Sequence, residues 1–196
     1  MNLTSRRESL KKFYLAPAFL FFKLGVHPNF ITLLSLGSGI ISALFFYFRE
    51  PVFGSFFLLL CGIFDLSDGE LARLSSKTSG FGAILDWCVD KVVDIFVLGC
   101  IGLSYSHDFV ALGAICSSTI HSFLKPLSHS EISASLKERL ESVGFFGRPE
   151  THILIILCGI LEGFKLFSAL EAGIFLVFLF SSLSLSQRIF YILRHS

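Results

Sequence analysis

The chain has 196 residues, 53% of them hydrophobic and only 16% charged. One soluble domain could not bury that much apolar surface, so the composition predicts a single polytopic membrane domain of all-α class. A formal net charge of +1 supplies no global field for nucleic acid, and none is expected as a partner.

Residues 3–24 mix Arg6, Arg7, Lys11, Lys12 and Lys23 with Phe13, Leu15, Phe19, Leu20 and Phe22. This pattern fits an amphipathic helix lying in the headgroup plane, its cations towards anionic lipid. The plainer alternative is the solvated start of a membrane helix. No small-residue cleavage site follows a short apolar core, so no cleaved leader is expected. Pro28 suits the first turn of the next helix, with Asn29 and Thr32 as polar groups at its start.

Six spans then follow, at about 29–48, 52–74, 81–104, 109–127, 150–165 and 168–192. Gly80 and Gly82 mark a turn between the second and third, and Lys125-Pro126 marks the end of the fourth. Residues 128–150 are the most polar stretch, with a short surface helix at 131–143 carrying Ile132, Leu136 and Leu140 on one side. The cysteines at 61, 88, 100, 116 and 158 form no C-x-x-C pair; they read as buried, reduced thiols rather than zinc ligands. The histidines, among them His121, His129 and His152, show no ligand spacing and read as polar groups at span ends.

Basic residues set the orientation. With six spans, both termini share one side with the 75–80 and 125–150 loops, and nearly all Lys and Arg lie there. The other side holds only Arg49 and Lys165. The basic side is expected to be cytoplasmic.

The same side carries the stretch of most chemical interest, DLSDGELARLSSKTSGFGAILDWCVD, from Asp65 to Asp90. Asp65 and Asp68 are three apart; Asp86 and Asp90 are four apart. On helices, each spacing stacks two carboxylates on one face. A charge within a span costs about 2.5–3.5 kcal/mol on insertion scales, so four acids near one interface need a reason. Carboxylates this close repel unless cations sit among them. An all-oxygen ligand set selects Mg²⁺ or Mn²⁺, and two such ions suit phosphoryl transfer. Gly69 and Ala72 are small, which either admits a ligand to the helix backbone or allows close helix packing. Arg73 reads as a ligand cation or a snorkelling anchor. Lys91 and Asp94 continue the acid face, either as an internal ion pair or as groups that position a substrate.

Asp65, Asp68, Gly69, Ala72, Arg73, Gly82, Asp86 and Asp90 fit D-x2-D-G-x2-A-R-x8-G-x3-D-x3-D at every fixed position. This resembles the signature of the CDP-alcohol phosphotransferases, integral-membrane enzymes of phospholipid synthesis. The resemblance implies transfer of a phosphatidyl-type group from a CDP-linked lipid to a small polar alcohol, with release of CMP, by a homodimer. It assigns metal binding to Asp65, Asp68, Asp86 and Asp90, and removal of the acceptor proton to Asp90. It assigns the CDP moiety to Gly69, Ala72, Arg73 and Ser79, with Asn29 and Thr32 matching a P-N-x-x-T start of the first span. Members that use phosphorylated alcohols such as glycerol phosphate or inositol phosphate place basic residues near the fourth and fifth spans. Here Lys125 and Arg148 stand there, with Lys137 and Arg139 nearby; topology alone also accounts for such cations. Ser122-Phe123-Leu124-Lys125-Pro126-Leu127 keeps the first basic residue of S-Y-x-R/K-A-R and has Leu127 in place of the second, a departure that weighs against inositol phosphate.

Two rivals remain from the residues alone. An ion or proton transporter would need polar residues across the whole membrane, whereas the distal halves of spans two and three are apolar. An inactive relative serving as a scaffold would have no need of the intact acids.

Overall fold

The computed structural model describes residues 7–106, 108–131, 143–165 and 168–195. Among these there are seven helices and no strand: α1 (Arg7–Lys23), α2 (Pro28–Tyr47), α3 (Pro51–Leu74), α4 (Gly80–Tyr105), α5 (Asp108–Glu131), α6 (Arg148–Gly163) and α7 (Ala169–His195). The all-α expectation holds.

Helix boundaries follow local chemistry. The His27 side chain caps α2, accepting a bond from Asn29 N, and Pro28 fills the first turn, where a missing N–H costs nothing. Ser79 caps α4 by accepting from Gly82 N at 3.0 Å. Gly147 N donates to Glu150 Oε2 at 3.0 Å and fixes the start of α6 at Arg148. The expected turn at Gly80 and Gly82 is therefore corrected. Both glycines lie in the first turn of α4, and the chain reverses at Ser76, whose φ is 54°. The helix of the fourth expected span, α5, also runs past Lys125-Pro126 to Glu131; a proline removes one N–H bond and need not end a helix. Residues 132–142, with most of the expected surface helix at 131–143, lie outside the described residues.

The bundle buries Phe46, Leu58, Cys61, Val93, Ile101, Ile155, Leu170 and Ile174. Helix α2 packs on α3 and α4, α3 on α1 and α6, α5 on α4 and α7, and α6 on α7. Small residues let the helices approach. A Cβ at Gly39 would stand 2.5 Å from Val93 Cγ2, and one at Gly159 would stand 2.1 Å from Ser55 Oγ. Hydroxyls bond across helices: Ser42 Oγ donates to Gly54 O at 2.7 Å, and Ser35 Oγ to Cys61 O at 3.2 Å.

Large apolar side chains cover the outside, including Phe53, Phe56, Phe96, Leu103, Phe109 and Leu112. That surface suits lipid, not water. Among the described residues, three helices are long and apolar enough to cross a bilayer: Pro28–Tyr47, Pro51–Leu74 and Ala169–Arg194. Helix α4 has the length but carries Asp86, Asp90, Lys91 and Asp94. Helix α6 has 16 residues, roughly 24 Å at 1.5 Å per residue. The protein is an integral membrane protein. The cysteines are free, as expected, but Cys88 and Cys116 are exposed on outer helix faces rather than buried.

Candidate active site

Helices α3 and α4 bring the acids together. Oxygens of Asp65, Asp86 and Asp90 all lie within 4.8 Å of one another. Mg²⁺–oxygen distances of about 2.0–2.1 Å span opposing ligands of roughly 4.0–4.2 Å, so the three carboxylates fit a hard divalent ion with little movement. They offer oxygen only, which suits Mg²⁺ or Mn²⁺. Asp68 stands beside this group. It is buried, and Thr32 Oγ1 donates to its Oδ2 at 2.6 Å.

Next to the acids lies a cavity of about 200 Å³, lined by Asn29, Thr32, Asp68, Gly69, Ala72, Arg73, Ser79, Gly82 and Asp86. Every residue that the signature assigned to a nucleotide lies on its wall. Lys77 and Thr78 also line it and were missed, because nothing in their spacing set them apart. Gly69 faces open space: an added Cβ would meet nothing closer than Arg73 Nη2 at 4.0 Å. Its smallness leaves room for a ligand rather than for a packed helix. Gly82 is tighter, since a Cβ there would lie 3.1 Å from Ser79 Oγ and 3.4 Å from Asn29 Oδ1. Arg73 pairs with Glu70 one turn back on α3 and remains half exposed at the cavity wall.

On the other flank, Arg148 reaches into the acids from the first turn of α6. Its Nη1 lies 2.9 Å from Asp65 Oδ2 and 2.7 Å from Asp90 Oδ1, and its Nε lies 3.1 Å from Asp94 Oδ1. Its Nη2 is buried without a hydrogen-bond partner among the described residues. Lys91 Nζ sits 3.2 Å from Asp94 Oδ2, so the internal ion pair, one of the two readings of these residues, is present. His152, read as a polar group at a span end, lies in the first turns of α6 with its Nε2 3.0 Å from Asp94 Oδ1. The available signal was spacing: His152 follows Arg148 by four residues and shares its helix face. Lys125 falls on α5; its side chain, like Lys137 and Arg139, lies outside what the structure describes.

The segment leading into α6 is pinned by buried polar groups. Arg188 on α7 donates from Nε to Val143 O at 3.0 Å and from Nη1 to His121 O at 2.8 Å. Ser184 Oγ accepts from Phe146 N at 3.4 Å and shares a 3.0 Å bond with His121 Nε2. Gly144 bends between them at φ 97°.

Comparison with known proteins agrees with this geometry. The family model described as CDP-alcohol phosphatidyltransferase matches residues 25–180. An uncharacterized protein of Aquifex aeolicus is 32% identical over 97% of this chain and 95% of its own length. The archaetidylinositol phosphate synthase of Pyrococcus horikoshii is 27% identical, covering 85% of this chain and 84% of that protein. The Mycobacterium tuberculosis phosphatidylinositol phosphate synthase, solved with CDP-DAG bound, superposes with a TM-score of 0.72 at 22% identity over 91% of this chain and 92% of that one. The same enzyme in complex with manganese and citrate gives 0.73, covering 90% and 87%; these two likenesses are of fold. With the acid signature complete, its residues gathered at one end of the bundle and the family model matching most of its length, this chain belongs to the CDP-alcohol phosphatidyltransferase family.

Proposed function

We propose that the protein moves a phosphatidyl-type group from a CDP-linked lipid to a small phosphorylated alcohol, with inositol phosphate as the leading acceptor class, and releases CMP. The observation that carries the reading is the convergence of three groups of residues. The acids of α3 and α4 meet between the cavity bearing the nucleotide residues and the cationic first turn of α6.

In this reading Asp65, Asp68, Asp86 and Asp90 hold two divalent ions, which neutralise the pyrophosphate and steady the leaving CMP. Asn29, Thr32, Gly69, Ala72, Arg73 and Ser79 hold the CDP moiety. The acceptor hydroxyl oxygen bonds to the phosphorus that carries the lipid, the bond from that phosphorus to CMP breaks, and Asp90 takes the hydroxyl proton. A carboxylate is a weak base for an alcohol, so alignment of the reactants carries much of the rate. Lys91, Asp94, Lys125 and Arg148 serve the acceptor. The unpartnered Nη2 of Arg148 supports an acceptor that brings an anion. The names of the relatives, archaetidylinositol phosphate and phosphatidylinositol phosphate synthases among them, favour inositol phosphate as the acceptor despite Leu127.

The chain is one membrane domain crossing six times, with α4, α5 and α6 supplying the three spans beyond the apolar ones and α1 lying at the interface. The active site and both termini face the cytoplasm, as the Lys and Arg distribution supports. A homodimer is the expected assembly from the family resemblance.

Purified protein with Mg²⁺ and a CDP-lipid, assayed for CMP release against glycerol phosphate, inositol phosphate, inositol and serine, tests the reading. Inositol phosphate should support turnover, and Asp90→Asn should abolish it. Full activity in Asp90→Asn would remove the assigned base.

A further inference from the structure

Arg148 is bound to the same carboxylates that fit a divalent ion. One nitrogen, Nη1, lies 2.9 Å from Asp65 Oδ2 and 2.7 Å from Asp90 Oδ1. Both residues belong to the three-carboxylate set. A dication held by those carboxylates would share them with a fixed positive charge a few ångströms away, and like charges at that range oppose each other strongly where water is scarce. The guanidinium is not tied at that end alone. Its Nε lies 3.1 Å from Asp94 Oδ1, and Asp94 is buried and secured by His152 at 3.0 Å and Lys91 at 3.2 Å. The Asp94 end is thus an anchor outside the ion-fitting set, and the Nη1 end is the part in conflict.

We infer that Arg148 and divalent ions are antagonists at Asp65 and Asp90, so that ion loading loosens the Nη end of the guanidinium while Asp94 keeps its Nε end in place. The antagonism is reciprocal. Whatever the ions lose by facing Arg148, Arg148 loses in its hold on the acids when ions bind. Charge accounting gives the consequence. Two dications balance Asp65, Asp68, Asp86 and Asp90, and Lys91 and Arg148 then exceed Asp94 by one positive charge. A loosened Nη1 and the already unpartnered Nη2 are what an anionic acceptor would meet. Metal loading therefore prepares the acceptor site, and Arg148 sets ion affinity as well as contacting substrate. This rests on the reading of the acids as ion ligands.

The test is equilibrium Mn²⁺ binding to the full-length protein in detergent after chelation. Free Mn²⁺ is followed by electron paramagnetic resonance, and bound Mn²⁺ by quenching of Trp87, the chain's one tryptophan, which adjoins Asp86. Arg148→Gln should bind Mn²⁺ about tenfold more tightly than wild type. Arg148→Lys keeps the charge but cannot span the three acids. It should tighten binding by roughly threefold, and it reports even if the glutamine variant does not fold. Unchanged or weaker Mn²⁺ binding in folded variants, with wild type binding normally, overturns the antagonism and leaves the ion-ligand reading intact. Failure of wild type to bind Mn²⁺ overturns both.

Discussion

Thr32 Oγ1 donates to Asp68 Oδ2 at 2.6 Å, and both residues are buried. The bond ties the first turns of α2 to the acid-bearing end of α3 and fixes one carboxylate beside the cavity. Hydrogen bonds to charged groups contribute about 1.5–3 kcal/mol. Thr32→Val keeps the shape and removes the donor. It should lower kcat/KM for the CDP-lipid by about tenfold or more, as measured by CMP release, and Thr32→Ser should restore most of it. Equal activity in valine and serine variants would mean that the bond does not position Asp68.

Gly69 separates ligand binding from stability. The space where its Cβ would sit is open, and alanine is a better helix former than glycine by up to about 1 kcal/mol. Gly69→Ala should leave the melting temperature unchanged or higher. Its KM for the CDP-lipid should nonetheless rise roughly tenfold, because the methyl enters the cavity. Thermal unfolding and steady-state kinetics on one preparation check both halves.

Gly39 behaves in the opposite way. Its missing Cβ would lie 2.5 Å from Val93 Cγ2 and 2.7 Å from Cγ1, where α2 meets α4. Gly39→Ala should cost about 1–3 kcal/mol through overpacking. That should appear as a lower midpoint in thermal unfolding, and Val93→Ala in the same chain should recover part of it.

Gly144 sits in the clamped segment that leads into α6 and Arg148. Its φ of 97° is left-handed, and a Cβ there would meet Ser184 Oγ at 2.7 Å, His121 Nε2 at 3.2 Å and Arg188 Nε at 3.3 Å. Gly144→Ala should disturb the clamp that leads into α6. The expected kinetic signature is a several-fold higher KM for the phosphorylated alcohol with the KM for CDP-lipid little changed. Equal effects on both substrates would make the clamp a general stability element.

The acid pairs were legible because their cause is local: spacings of three and four fix a helix face whatever the tertiary fold. The residues lining the cavity beside them came from the family resemblance instead: Gly69 to Ser79 are near neighbours in the chain, but Asn29 and Thr32 reach the same cavity from the start of α2. Arg148 was marked only as a cation near the acceptor, through the family resemblance, and His152 was not singled out. Their ion pairs to Asp65, Asp90 and Asp94 are made by α6 packing beside α3, a tertiary fact that no periodicity encodes. The turn at Gly80 and Gly82 was misread because glycine signals a turn in general, whereas Ser79 supplies a cap that draws both glycines into the helix. Pro126 was likewise taken as a stop where the helix continues.

Anomalous diffraction from crystals of the protein grown with Mn²⁺ tests the central claim most directly. The account predicts manganese peaks within direct coordination distance of carboxylate oxygens of Asp65, Asp86 and Asp90, with Arg148 Nη1 drawn back from Asp65. Manganese bound elsewhere, with these carboxylates still clasping only Arg148, would contradict it.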